Sequence, residues 1–177
     1  MKNKQALLSL FLMLVIGSSA LGQWNWLNPI PGGDDHFKVL FINSDTGIII
    51  NNYKVIKTID GGENWNIVQE FPNINDIAFD DETGYVVCQY GKSYKTQDYG
   101  ESWDEVELPY LGFNNHPNSV HLFTKDTIII SGDQFIVRSY NEGQDWEILE
   151  IEGDRLDKTI FLTPQLGHAI CNSNYWG

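Results

Sequence analysis

One short phrase occurs three times in this chain. It reads Thr58-Ile59-Asp60-Gly61-Gly62-Glu63-Asn64-Trp65, then Thr96-Gln97-Asp98-Tyr99-Gly100-Glu101-Ser102-Trp103, then Ser139-Tyr140-Asn141-Glu142-Gly143-Gln144-Asp145-Trp146. The shared pattern is Ser/Thr, any, Asp/Asn, any, Gly, any, any, Trp. The three tryptophans are spaced by 38 and 43 residues. A period of about 40 is the mark of a repeat architecture and constrains the fold more than any other feature of the chain.

Between these boxes run short apolar stretches broken by turn residues. In the first unit Phe37 to Ile42, Ile48 to Ile50, Val55 to Thr58 and Trp65 to Val68 read as strands, separated by Asn43 to Gly47, Asn51-Asn52 and the box. After residue 22 no window sustains a helical pattern. The second unit repeats the layout, and the third places strands at Ser119 to Phe123, Thr127 to Ile130 and Phe135 to Ser139. A fourth begins near Thr159, turns at Thr163 to Gly167, continues to Cys171 and stops at Tyr175-Trp176-Gly177 without a box. Four strands per unit at this period predict an all-β fold, a β-propeller of about three and a half blades. The blades fall at about 36–70, 74–108, 118–150 and, incomplete, 158–177. The segment Gln23 to Pro29 reads as an outer strand that closes the last blade. The end in mid-blade reads as a fragment of a larger ring; a closed four-blade ring is the alternative, with Tyr175 to Gly177 as a whole strand.

Residues 1–22 read as a secretory signal. Lys2 and Lys4 precede an apolar stretch from Ala6 to Ile16, and small residues follow through Gly22. This stretch of eleven residues falls short of the ~20 that span a bilayer. The expectation is cleavage after Gly22, or after Ala20, and a product that is secreted, periplasmic or on the cell surface with no membrane insertion. The chain carries 24 acidic and 11 basic residues, a net charge of −13. Loss of Lys2 and Lys4 takes it to −15. Such a surface repels nucleic acid and anionic lipid. Cys88 and Cys171 each lie four residues after a glycine, Gly84 and Gly167, so they occupy equivalent positions two units apart. That separation exceeds the reach of a disulfide, and both are expected to be buried free thiols.

The box chemistry is that of a turn. The hydroxyl and carboxylate at i and i+2 (Thr58 and Asp60, Thr96 and Asp98, Ser139 and Asn141) can satisfy nearby backbone groups. Gly62, Gly100 and Gly143 supply a conformation other residues dislike. Trp65, Trp103 and Trp146 are apolar plugs whose N–H seeks one partner. Asn141 keeps the geometry without the charge. The box lacks the five or more spaced oxygens of a calcium loop, and the four histidines, His36, His116, His121 and His168, have no metal-ligand spacing. Neither metal nor cofactor is expected, and His121 reads as a structural histidine in a strand.

The pattern resembles the Asp-box, or BNR, repeat of sialidases, sortilin-type receptors, xyloglucan hydrolases and photosystem II assembly and stability factors. Lys57 to Trp65, preceded by Asn43 to Gly47, and the opening Trp24 to Pro29 are most similar to the last group and its exported bacterial relatives. The resemblance covers about residues 23–176. It implies a propeller with the box between third and fourth strands, on the rim away from the usual ligand face. It implies photosystem assembly only in a photosynthetic source.

A sialidase needs three arginines around its substrate carboxylate, and this chain has two, Arg138 and Arg155. No carboxylate pair or Ser-His-Asp set declares itself, so no catalytic residue is assigned. The expectation is a non-enzymatic module that binds a protein or glycan or assists assembly, with self-association of the open propeller. The alternative is a carbohydrate-active hydrolase whose catalytic residues lie partly beyond Gly177. The candidate binding loop is Pro109 to Pro117, about five residues longer than its counterpart, with Tyr110, Phe113 and His116.

Overall fold

The computed structural model describes residues 36–109, 116–151 and 155–172. The signal sequence, the segment 23–29, Tyr110, Phe113 and Tyr175 to Gly177 lie outside them.

The apolar runs form strands, and the second and third strands of each complete sheet carry most of the side chains buried at the junctions between sheets. The first sheet contains β1 (His36–Phe41), β2 (Gly47–Asn51), β3 (Lys54–Thr58) and β4 (Asn66–Glu70). The second contains β5 (Ile74–Asp80), β6 (Thr83–Cys88), β7 (Ser93–Thr96) and β8 (Asp104–Val106). The third contains β9 (Pro117–Thr124), β10 (Thr127–Gly132), β11 (Phe135–Ser139) and β12 (Glu147–Glu150). Each is an antiparallel meander in strand order, the blade unit of a propeller. The fourth pairs β13 (Arg155–Thr163) with β14 (Leu166–Asn172). This sheet starts at Arg155 rather than near 158. Leu156 is buried, and its N–H donates to the carbonyl of Asp133 at 2.8 Å, which extends the strand backward.

The box hydroxyl residues hold the same register in each complete sheet: Thr58 faces Gly47, Thr96 faces Gly84, and Ser139 faces Ile128. Gly47 and Gly84 leave room for a ring on the strand before. An added Cβ would lie 2.9 Å from Phe41 and 2.5 Å from Phe79. Gly167 is covered by Phe161 in the same way.

Two apolar clusters fill the junctions. Ile48, Ile50 and Val55 of the first sheet pack with Phe71, Ile74, Ile77, Val86 and Cys88, and Trp103 joins them. Tyr85, Val87 and Leu108 pack with Val120, Ile128, Ile130, Phe135 and Val137, and Trp146 joins them. Phe71 ends the first blade against Tyr94 and Trp103, with ring centroids 4.6 and 5.7 Å apart. Cys88 is a buried free thiol, pushed up to about 12 by burial. Ahead of the first junction Val39 is 62% exposed, where its register counterpart Ile77 is fully buried.

The first strands of successive sheets lie side by side and are stitched by polar side chains. Lys38 Nζ donates to Asp76 Oδ1 and to the Ile77 carbonyl, both at 2.6 Å. Asp76 Oδ2 accepts from Ser119 Oγ at 3.1 Å and from the Val120 N–H at 3.0 Å. Ser119 Oγ lies 3.1 Å from His121 Nε2, which lies 3.4 Å from Thr159 Oγ1; that hydroxyl meets Ser131 Oγ at 2.6 Å. The amides of Asn75 and Asn118 add a repeated clamp, donating to the carbonyls of Pro117 and Leu156.

Truncating Phe71 to Ala removes the ring shared by two blades and should cost about 3–5 kcal/mol, read from urea unfolding. Burial lowers the pKa of His121, with Lys38 acting the same way; Asp76 and the Thr159 backbone oppose it. The unfolded imidazole titrates near about 6.5, so below that pH the unfolded chain binds the proton first and stability falls. Between about pH 7 and pH 5 the urea midpoint should fall less in His121→Asn than in the parent chain.

Candidate functional site

The boxes occupy the loops between third and fourth strands, at the end of each sheet that also carries the turn between its first two strands. Within the first box, Thr58 Oγ1 donates to Asp60 Oδ1 at 2.7 Å and accepts from the Gly62 N–H at 2.9 Å. Asp60 then accepts from the Asn64 backbone N–H at 2.9 Å and side-chain amide at 2.8 Å. The second box repeats this with Thr96, Asp98, Gly100 and Ser102, whose hydroxyl takes the place of the Asn64 amide at 2.6 Å. Hydrogen bonds from Asn64 and Thr58 hold the Asp60 carboxyl down at about 2. For Asp98 burial pushes the other way, but the bonds from Ser102 and Thr96 prevail, again giving about 2.

The third box reverses the polarity. Asn141 Oδ1 accepts from Ser139 at 2.9 Å and from the Asp145 N–H at 2.9 Å, while its Nδ2 donates to Asp145 Oδ2 at 2.8 Å. One carboxylate is present in the pair either way; it has moved from i+2 to i+6.

Each box holds two consecutive residues at positive φ: Gly61 and Gly62 at 71° and 96°, Tyr99 and Gly100 at 58° and 83°, Glu142 and Gly143 at 60° and 80°. The first of each pair ties the box to its own sheet. Gly61, Tyr99 and Glu142 donate their N–H groups to the carbonyls of Asp45, Glu82 and Asp126. Trp65 and Trp103 donate Nε1 to the carbonyls of Gly62 and Gly100, each at 3.1 Å. Trp146 departs from the expectation: its buried Nε1 has no partner among the described residues.

The boxes also reach the preceding blade. Lys57 pairs with Glu101, and Lys95 Nζ donates to Glu142 Oε2 at 3.1 Å. The Tyr85 hydroxyl donates to the Glu142 carbonyl at 2.8 Å. Lys57 and Lys95, which directly precede the threonines of the first two boxes, make these contacts, while Arg138 before the third pairs with Glu147 of its own sheet.

The opposite rim carries the turns between second and third strands and the blade-to-blade connections. There the short 3-10 turn Gln89–Gly91 places Tyr90 at φ 60° with 72% of its surface exposed. His116, from the candidate binding loop, meets it edge-on with centroids 5.7 Å apart. Beside them a groove of about 430 Å³ is lined by Tyr90, Lys92, Glu105, Glu107 and Leu108, with Lys92 paired to Glu105. Tyr90 was missed in the sequence because nothing in it marks a left-handed tyrosine. Among the described residues no group of three or more His, Cys, Asp or Glu is placed to hold a metal ion. No helix among them is long and apolar enough to cross a membrane.

No protein-family model matches the chain. The vacuolar protein sorting/targeting protein 10 of Emericella nidulans is 24% identical over 86 residues, which are 45% of this chain and 6% of that protein. Among solved structures, YCF48 bound to D1 peptide superposes with a TM-score of 0.60 at 20% identity, covering 68% of this chain and 41% of that one. The GH74 enzyme of Niastella koreensis superposes with a TM-score of 0.52 at 21% identity, covering 72% of this chain and 24% of that one. The fold is a β-propeller, and the chain spans less than half the length of these proteins.

Asn141→Asp should set two carboxylates against each other in the third box and lower stability by about 1 kcal/mol, with Asp145→Asn restoring most of it; a double-mutant cycle in urea measures the coupling. The depressed Asp60 and Asp98 contribute stability above the unfolded carboxyl value of about 3.9, lost as pH falls toward about 2. The acid-induced fall in the unfolding midpoint should therefore be shallower in Asp98→Asn.

Proposed function

We propose that this chain belongs to an exported Asp-box propeller that is not an enzyme and that binds a protein partner, or assists assembly, through the rim opposite its boxes. The observation that carries this reading is Tyr90. An exposed aromatic held at positive φ, beside His116 and above a groove edged by carboxylates, is a costly arrangement for a surface with no partner. The structural likeness to a propeller bound to a peptide supports a protein partner. The box carboxylates are engaged in their own turns, which suits scaffolding. The leader at residues 1–22 supports export.

A panel of immobilised synthetic peptides, cationic, neutral and anionic, provides the test. The parent chain should retain a subset, and Tyr90→Ala with His116→Ala should weaken that retention at least about tenfold with thermal unfolding unchanged. Equal retention by the double variant refutes the rim as the site.

The second reading, a carbohydrate-active hydrolase, is favoured by the likeness to GH74 enzymes. Release of reducing ends from xyloglucan by the purified chain would establish it. A sialidase-type reading is weakened by the arginine count: the chain has two, Arg138 and Arg155, where the substrate carboxylate takes three.

A further inference from the structure

We propose that His121 is an acid-sensitive latch between the first strands of the third and fourth sheets: in its neutral form it ties β9 to β13, and its protonation in mild acid loosens that tie while the two complete junctions hold.

The imidazole stands between two strands. Its Nε2 lies 3.1 Å from Ser119 Oγ of its own strand and 3.4 Å from Thr159 Oγ1 of β13. Its ring meets Phe161 of β13 edge-on, with centroids 5.2 Å apart. Thr159 and Phe161 are two residues apart on one strand and share its face, so a single side chain grips both. The same Thr159 hydroxyl meets Ser131 Oγ at 2.6 Å and is buried. The start of β13 is held by other means: the Leu156 N–H donates to the Asp133 carbonyl, and the Leu156 carbonyl accepts from Asn118 Nδ2. Release at His121 therefore acts on residues 158–163 and not on the whole strand.

The charged groups that act on the imidazole are Asp76 of β5 and Lys38 of β1. Asp76 is already saturated. It accepts from Lys38 Nζ, from the backbone N–H groups of Ile77 and Val120, and from the Ser119 hydroxyl. No lone pair of that carboxylate is left free for an imidazolium, and Lys38 opposes one. From β10 the site receives Ser131, and from β13 Thr159 and the Phe161 ring, none of which is charged. Lys158 precedes Thr159 on the other face of β13 and is exposed, and His168 of β14 lies across from Ile160, the exposed residue between Thr159 and Phe161. A proton on His121 thus places a half-buried cation with no carboxylate of its own. Burial accordingly lowers its pKa, with Lys38 acting the same way.

The sign follows from linkage. With β13 released the imidazole meets water and titrates near about 6.5, above its value in the closed form, so falling pH draws the strand toward release. The apolar clusters of the two complete junctions contain no histidine and supply an internal standard.

Hydrogen exchange of the purified full chain, read by mass spectrometry at pH 7.5 and 5.5 and corrected for intrinsic exchange, provides the test. Protection of residues 158–163 should fall at least about threefold at the lower pH, with β2 and β6 unchanged, and His121→Asn should abolish the fall. Should His121→Asn fail to fold by circular dichroism, the backbone resonances of Thr159 and Phe161 in the parent chain must titrate with the midpoint of the His121 ring. The proposal is overturned by protection of 158–163 that ignores pH, by an equal fall in His121→Asn, by a fall shared with β2 and β6, or by resonances that do not follow the ring.

Discussion

Every junction between complete blades depends on a turn that holds two consecutive residues at positive φ. That backbone lets the box glycine close against the blade before it: an added Cβ on Gly100 would touch Ile48, and one on Gly143 would collide with the Tyr85 hydroxyl. The conformation is costly for Tyr99 and Glu142, as it is for most residues with a Cβ. It is sustained by the hydroxyl of Thr58, Thr96 or Ser139, which accepts the glycine N–H while donating to the residue at i+2. The box is therefore a device for bringing a backbone close to a neighbour, and the tryptophan packing and the lysine–glutamate pairs follow from that closeness.

The carboxylates of the boxes illustrate how the same residues can serve structure without chemistry. Asp60 and Asp98 are held ionised by three or more hydrogen bonds from their own turns. A group so stabilised in its charged form is a poor general acid. The swap in the third box, where Asn141 and Asp145 exchange donor and acceptor, shows that the turn needs the pair and not the position of the charge.

The period of the tryptophans, the strand count and the place of each box between third and fourth strands were all legible in the sequence, because a repeated unit shows its own register. Less legible were the start of the fourth sheet, which depends on Leu156 finding a buried place and Asp133 a donor, and the orphan Nε1 of Trp146. The candidate loop was read from its length and aromatics. The structure brings His116 to Tyr90, a residue whose left-handed backbone no composition rule anticipates. Tyr110 and Phe113 lie outside the described residues.

The sequence by itself determined the all-β propeller architecture and the internal hydrogen bonding of the boxes, because both arise from contacts within a few residues and from a pattern repeated along the chain. Only the tertiary structure decided which residues meet across blades: Lys38 with Asp76, Asp76 with Ser119, Lys57 with Glu101, and Lys95 with Glu142. Those partners are about 40 residues apart, and their meeting depends on the angle at which one sheet stacks on the next, which no local propensity encodes.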